Sequence, residues 1–309
     1  MSVLVVGSFI VDCIARCDRA PKLGETVTGN SFNIYLGGKG ANQAVASIRM
    51  GSKTTMVGAI GNDNFGDSFI KCLKEDGFDP KYVKRFDKFT GTSLVTVEET
   101  GQNCICMTPG ANLDYTKEDL KEVLPELKKA NYVVTQFEMR YEIVEELARM
   151  CKANNKKFIL NPAPAKIVSD EILDGLFLIT PNETELGIVL GSKKEYNTIE
   201  DYVDGAKELL AKGVENVIVT LGTIGSLLVN KEGHELIPSF KVKAIDTVGA
   251  GDSYTGSLAA MLDQGYSLKD AMRIATAVAA LEVQKNGAIP AMPHKEEVFN
   301  FLKERGINL

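Results

Sequence analysis

The chain has no tryptophan, two histidines, and no apolar run close to the ~18 residues that span a bilayer. Its net charge of −6, from 35 Lys and Arg against 41 Asp and Glu, leaves no broad basic surface for nucleic acid. His234 lies in the turn-like "NKEGHEL" and His294 follows Pro293, both surface contexts, so histidine triads and histidine-rich metal sites are disfavoured. Six cysteines include no CxxC pair. Cys104 and Cys106 share one strand face without a histidine, which falls short of a zinc ligand set. The start "MSVLVVGSFI" is apolar but lacks a basic n-region, so it reads as a first strand and not a signal peptide. Reduced thiols in a cytoplasmic protein are the expectation. Two nucleotide fingerprints are also missing. There is no GxxxxGK[ST], and the first strand leads into "GSFIVD" instead of GxGxxG.

What is present is alternation. "VLVV" (Val3 to Val6), "TTMVGAI", "YVVTQF", "KFIL", "LFLIT" and "NVIVTL" are short β-rich apolar runs. Between them lie helical patterns such as Ala41 to Met50, Phe65 to Asp76, Tyr141 to Asn154 and Tyr202 to Lys212, three of them closed by glycine. "TKED", "TIED" and "SLKD" mark helix starts with capping boxes. The pattern predicts an α/β fold, a mainly parallel sheet covered on both faces to give three α/β/α layers, and the length allows one large domain or two smaller ones. Two segments interrupt it. Residues 13–36, with the alternating "SFNIYL", and residues 91–108, a hairpin around Gly101, are expected to pair into a small β-sheet. With one face uncovered, such a sheet needs a ligand or another subunit.

The densest chemistry lies in "AIDTVGAGDSYTG" (Ala244 to Gly256), a glycine-rich turn opening a helix. Gly249 and Gly251 allow close approach, and the amides of Ala250, Gly251 and Asp252 could converge on an oxyanion. Asp252 is either a helix cap or a base beside a phosphate. "LGGKGANQA" makes a second close-approach turn, where Asn42 can bond hydroxyls in both directions. Asp12 and Glu138 follow strands, where α/β sheets place ligands. In "TPNETE", Asn182 and Glu185 share a helix side that suits hydrated Mg²⁺ or a simple cap. "TLGTIGS" carries a Gly-x-x-Gly turn able to lie along phosphates.

In their order, "GGKGAN", "NPAPA", "TPNETE", "TLG" and "DTVGAGD" resemble the PfkB-type carbohydrate kinase family, and within it the ribokinases. The resemblance runs from "VVGS" to "GAIPAMP", nearly the whole chain, and implies a single domain over 1–309. It implies ATP-dependent phosphorylation of D-ribose at the 5-hydroxyl, with another sugar or nucleoside (2-deoxyribose, fructose, adenosine) as the alternative. A sugar- or nucleotide-binding regulator without catalysis is the reading from another class. The family's roles carry over to positions that match its motifs. Asp252 becomes the base, and Gly249, Ala250 and Gly251 the anion hole. Asp12, Gly38, Lys39, Asn42 and Glu138 hold the sugar. Asn182, Thr220, Gly222, Gly225 and Gly251 serve ATP, and Glu185 serves Mg²⁺ through water. Asp246 and Thr247, with mostly backbone groups of Glu282, Lys285, Gly287 and Ala291, form a K⁺ site. The small sheet becomes a lid and the contact of a homodimer. Neither nucleic acid nor membrane is an implied partner. Three positions depart from the family pattern. Ile10 stands where many bacterial members have asparagine, Ala291 where a serine is common, and Thr276 where a histidine often lies beside adenine.

Overall fold

Val3 and Val5 of the first strand pack into one hydrophobic cluster, and Leu4 and Val6 into another. A strand buried on both faces in this way belongs inside a layered α/β sheet, because successive side chains point to opposite faces. The computed structural model describes residues 2–309. Its thirteen strands are β1 (Val3–Val6), β2 (Ile10–Cys17), β3 (Ser31–Gly37), β4 (Thr54–Gly61), β5 (Val83–Phe86), β6 (Gly91–Glu98), β7 (Asn103–Thr108), β8 (Tyr132–Thr135), β9 (Lys157–Leu160), β10 (Leu178–Ile179), β11 (Asn216–Thr220), β12 (Gly225–Asn230) and β13 (Gly233–Pro238). Nine form one sheet in the order β13-β12-β11-β10-β9-β8-β1-β4-β5. Pairing is parallel from β5 to β11 and antiparallel for β11–β12 and β12–β13. Helices cover both faces, giving the expected three layers.

Local signals placed the helix ends. Thr116 and Thr198 make capping boxes with Asp119 and Asp201, and Ser267 accepts from the Asp270 amide. Two corrections concern strands. "NKEGHEL" reads as a turn, yet Gly233 and His234 belong to edge strand β13, with His234 exposed. β2 begins at Ile10, three residues before the interruption read from the sequence, because it pairs with β3 and β6 from its first residue.

The second sheet has the order β3-β2-β6-β7. β2 runs antiparallel to β3 and parallel to β6, and β6 and β7 form the hairpin whose turn holds Gly101 at φ 85°. Its register puts Ile34, Cys13, Leu94 and Cys106 in one row across the sheet, hence on one face. Phe32 and Leu94 are 61% and 59% exposed, so this part of the face has no cover among the described residues. On the opposite face the row is Tyr35, Asp12, Ser93 and Met107.

Among the described residues no helix is long and apolar enough to cross a membrane.

Candidate active site

The carboxyl ends of the parallel strands converge on one region. Ser8 follows β1, Gln136 and Glu138 follow β8, Asn161 follows β9, Asn182 follows β10, and Thr220 ends β11. Into this region projects the helix Ala250–Asp263, whose N-cap is Gly249 at φ 94°. A side chain at Gly249 would meet Ala288 Cβ at 2.8 Å and Glu282 Oε1 at 2.9 Å, so both shape and handedness require glycine.

Asp252, on the first turn of this helix, is 6% exposed. Its position depends on Gly256 one turn later. A β-carbon there would fall 2.2 Å from the Gln43 carbonyl, so only glycine lets the helix Lys39–Arg49 lie this close. The contact delivers two consecutive side chains to one carboxylate. Asn42 Nδ2 donates to Asp252 Oδ2 and Gln43 Nε2 to Oδ1, each at 2.9 Å. Gln43 is fully buried. Its Oε1 accepts from Gln136 Nε2 at 2.6 Å, and its Nε2 also reaches Asn161 Oδ1 at 3.2 Å. Both oxygens of Asp252 are therefore held by amide donors that are themselves buried.

Beside this pair lies a polar recess. Asn42 Oδ1 is buried without a partner. A β-carbon on Gly37 would be 3.7 Å from it and 3.0 Å from Asp12 Oδ2, which puts both acceptors at the same glycine. Glu138 accepts from the Ser8 hydroxyl and from the Lys39 amide, the latter at 2.8 Å. Burial pushes Asp12 up to about 6, against the Ser93 hydroxyl that favours its charge, and burial also raises Glu138. Lys39 is raised, chiefly by Asp252.

Two joined clefts lie on the other side of Asp252. The smaller, about 190 Å³, is lined by Lys39, Asn182, Glu185, Thr220, Gly251 and Asp252. The larger, about 630 Å³, includes Gly222, Gly225, Phe240, Val242, Tyr254 and Thr276. Asn182, Thr220, Thr247 and Gly251 border both. At the junction the Ala250 amide already donates to Thr247 O at 3.3 Å, which leaves Gly251 and Asp252 as the helix amides without a main-chain acceptor.

Residues 1–295 match the pfkB family of carbohydrate kinases. The chain is 36% identical over 308 residues to a ribokinase of Lactococcus lactis, covering 99% of each protein. It is 34% identical over 304 residues to a deoxyribokinase of Salmonella typhi, covering 98% of this chain and 99% of the relative. Its fold matches the structure of Arabidopsis thaliana ribokinase complexed with ribose and ATP at a TM-score of 0.89 and 31% identity, over 98% of both chains.

The chain belongs to the pfkB family of carbohydrate kinases.

As a pfkB-family kinase it transfers phosphate to an alcohol group, and its site residues can be weighed for that chemistry. Asn182 and Glu185 are engaged with each other. Asn182 Oδ1 accepts from the Glu185 amide and Glu185 Oε2 from the Asn182 amide, both at 2.9 Å. That is the helix cap foreseen in "TPNETE", and it leaves Glu185 Oε1 free on the cleft, where burial raises the carboxyl. Among the described residues no group of three or more His, Cys, Asp or Glu could hold a metal. A Mg²⁺ ion would therefore complete its shell with water and phosphate oxygens, which suits its chemistry.

Of the residues expected around K⁺, Asp246 and Gly287 are joined directly. Asp246 accepts from the Val248 and Gly287 amides at 3.1 and 3.0 Å, which ties two loops together. Lys285 turns its ammonium away to Glu297, so only its backbone remains for such a site, and Ala291 has no side-chain oxygen. Both carboxyl oxygens of Glu282 are buried without partners. Burial, then Asp246, then Asp252 push this carboxyl up to about 9. Orphaned oxygens between two loops fit a cation.

Sequence reasoning passed over Ser8, Gln43, Gln136 and Asn161. Gln43 stood beside Asn42 in "GGKGANQA", Gln136 two residues before Glu138, and Asn161 in "NPAPA". Phe240 and Val242 of the large cleft carried no signal, since they lie in an irregular segment after β13.

Proposed function

We propose that the chain transfers the γ-phosphoryl group of ATP to the 5-hydroxyl of D-ribose, with Asp252 as the base. The observation that carries this reading is the geometry of Asp252. Its carboxylate is buried, fixed through both oxygens, and set at a helix opening whose free amides face the junction of two clefts. On this reading the sugar occupies the polar recess. Asp12, Glu138 and the unpartnered Asn42 Oδ1 accept from its hydroxyls, while Gly38 and Lys39 close the turn above it. This narrows the role of Asn42, whose amide group is already spent on Asp252.

ATP occupies the larger cleft, with adenine against Phe240 and Val242 and phosphates along Gly222, Gly225, Asn182 and Thr220. The 5-oxygen attacks the γ-phosphorus, its proton moves to Asp252, and the bond to the ADP oxygen breaks. The Gly249–Gly251 turn and the amides of Gly251 and Asp252 take up charge on the transferred group, where preorganised donors act most strongly. Mg²⁺ on the Glu185 side, when bound, supplies further neutralisation of the phosphates. Asp246, Thr247 and backbone groups of the 282–291 loop would hold a monovalent cation, whose charge would steady the turn. The four-stranded sheet acts as a lid, excluding water from the phosphoryl group. Its apolar outer face, with Phe32, Ile34 and Leu94, makes a homodimer contact. The protein works in the cytoplasm.

A second reading has a specific observation behind it. Ile10 is 3% exposed, shares the β2 face of Asp12, and offers no side-chain hydrogen bond to a sugar. A pocket that loses a polar partner discriminates less against an analogue lacking the hydroxyl. The deoxyribokinase relative keeps 2-deoxyribose in view.

The test is ADP formation across ribose, 2-deoxyribose, fructose and adenosine. The ribose reading requires the highest kcat/KM for ribose. A higher value for 2-deoxyribose would transfer the assignment to that sugar.

A further inference from the structure

The last residue of the helix Leu268–Glu282 ends in a carboxyl group that nothing in the fold satisfies. Glu282 is 0% exposed, and neither Oε1 nor Oε2 has a hydrogen-bond partner. The group is pressed against the turn that opens the helix Ala250–Asp263, since a β-carbon on Gly249 would lie 2.9 Å from Glu282 Oε1. The charges that act on it come from Asp246 and Asp252, both acidic. Nearby basic groups are committed elsewhere. Lys285 pairs with Glu297, and Arg49 pairs with Asp76 while donating to the carbonyls of Ile289 and Met292.

A buried carboxylate without donors is strongly disfavoured, so its retention calls for a counter-charge. A neutral carboxylic acid would still lack an acceptor for its O–H. A cation satisfies both oxygens together. The side-chain groups that act on Glu282 here are carboxylates, Asp246 and Asp252, and oxygen donors suit a hard ion over zinc or copper.

We propose that the Glu282 side chain is itself a ligand of a monovalent cation lodged beneath the Gly249–Asp252 turn, so that two carboxylates, Asp246 and Glu282, hold the ion. The resemblance gives Glu282 only a backbone role, and Ala291 has no side-chain oxygen to offer. Here the added carboxylate supplies the oxygen that Ala291 lacks. The site then takes K⁺ before sugar or nucleotide arrives. This inference rests on the proposed cation site and is independent of which sugar is phosphorylated.

The experiment follows thermal unfolding of the full chain without substrates, in choline chloride exchanged stepwise for KCl at constant ionic strength. For wild type the unfolding midpoint rises with K⁺, as for any ligand that binds only the folded state. For Glu282→Gln the K⁺ concentration giving half the rise increases about tenfold or more, the usual size of losing a charged ligand group. Its midpoint in choline alone stays close to that of wild type, because without the ion the buried carboxyl is held neutral and glutamine matches its size. An identical K⁺ dependence in wild type and Glu282→Gln, or none in wild type, overturns the proposal. Should Glu282→Gln fail to fold, Tl⁺ binding to wild type and Glu282→Ala by thallium NMR gives the same comparison, with weaker binding expected for the alanine variant. Equal Tl⁺ binding overturns it. ADP formation with ribose in wild type is scored separately. An active sugar kinase whose stability ignores K⁺ defeats only the cation proposal, and a K⁺-stabilised protein without kinase activity defeats only the functional reading.

Discussion

The two sheets of this molecule solve the burial of apolar side chains in opposite ways. The nine-stranded sheet is covered by helices on both faces, so Val3 to Val6 are all buried and its neighbours form two closed clusters. The four-stranded sheet leaves Phe32, Ile34 and Leu94 on one face and Ile105 and Met107 on the other, all exposed. The larger sheet can hold fixed geometry by itself, and the buried amide network around Asp252 is anchored to it. The smaller sheet has stability to gain from whatever covers it. It nevertheless carries Asp12, so one acid of the proposed sugar site sits on the less covered of the two sheets.

Four experiments break or sharpen that contrast. The largest effect belongs to Asp252→Asn, which keeps the size of the side chain and removes the base. Turnover falls about 10²–10⁴-fold with little change in KM, by steady-state ADP formation. Unaltered kcat would remove Asp252 from the reaction. Next comes Gly256→Val, which attacks the larger body. Its side chain would drive against the Gln43 carbonyl, so stability drops by about 3 kcal/mol in urea unfolding, with loss of turnover as Asn42 and Gln43 shift. A stable, active Gly256→Val would mean that the helix contact tolerates separation.

The third experiment concerns Asp12. Its folded-state value, about 6, lies above the ordinary 3.8, so the folded protein binds the extra proton. Its contribution to stability is therefore complete below the ordinary value and is lost as pH rises through about 6. Sugar capture has the opposite sign, because the carboxylate form is the hydroxyl acceptor. We expect kcat/KM for ribose to fall as pH drops through this value, approaching about tenfold per pH unit. Asp12→Asn should be weaker throughout and lack this inflection, and an unchanged profile would count against Asp12.

The smallest effect on the main body is expected from Leu94→Asp. Placed on the apolar face of the small sheet, it should convert dimer to monomer in sedimentation while the unfolding free energy of the monomer in urea stays within about 0.5 kcal/mol, as for an exposed substitution. A wild type that sediments as a monomer would remove the dimer proposal.

The larger sheet was the more legible of the two. Its β1, β4 and β9 strands were plain from apolar runs bounded by polar residues, and its helix caps from Thr and Asp spacing. β2 was less so, because Ile10–Cys17 mixes Asp12 and Arg16 among apolar residues and pairs only with distant strands. The site divided in the same manner. Close-approach glycines, Asp252 and Glu138 stood out as residue types. Gln43 did not, since a glutamine on a helix reads as solvent-facing until another helix is laid over it.

The sequence by itself determined the layered α/β class, the positions of the glycine turns and the absence of a Walker loop, because these rest on local periodicity and on conformations few residues can adopt. Only the tertiary structure decided that Asn42 and Gln43 meet Asp252, 210 and 209 residues away, and that the Glu282 carboxyl is left without a donor. Such pairings depend on the packing of helices remote in the chain, where a missing β-carbon at Gly256 sets the distance between them.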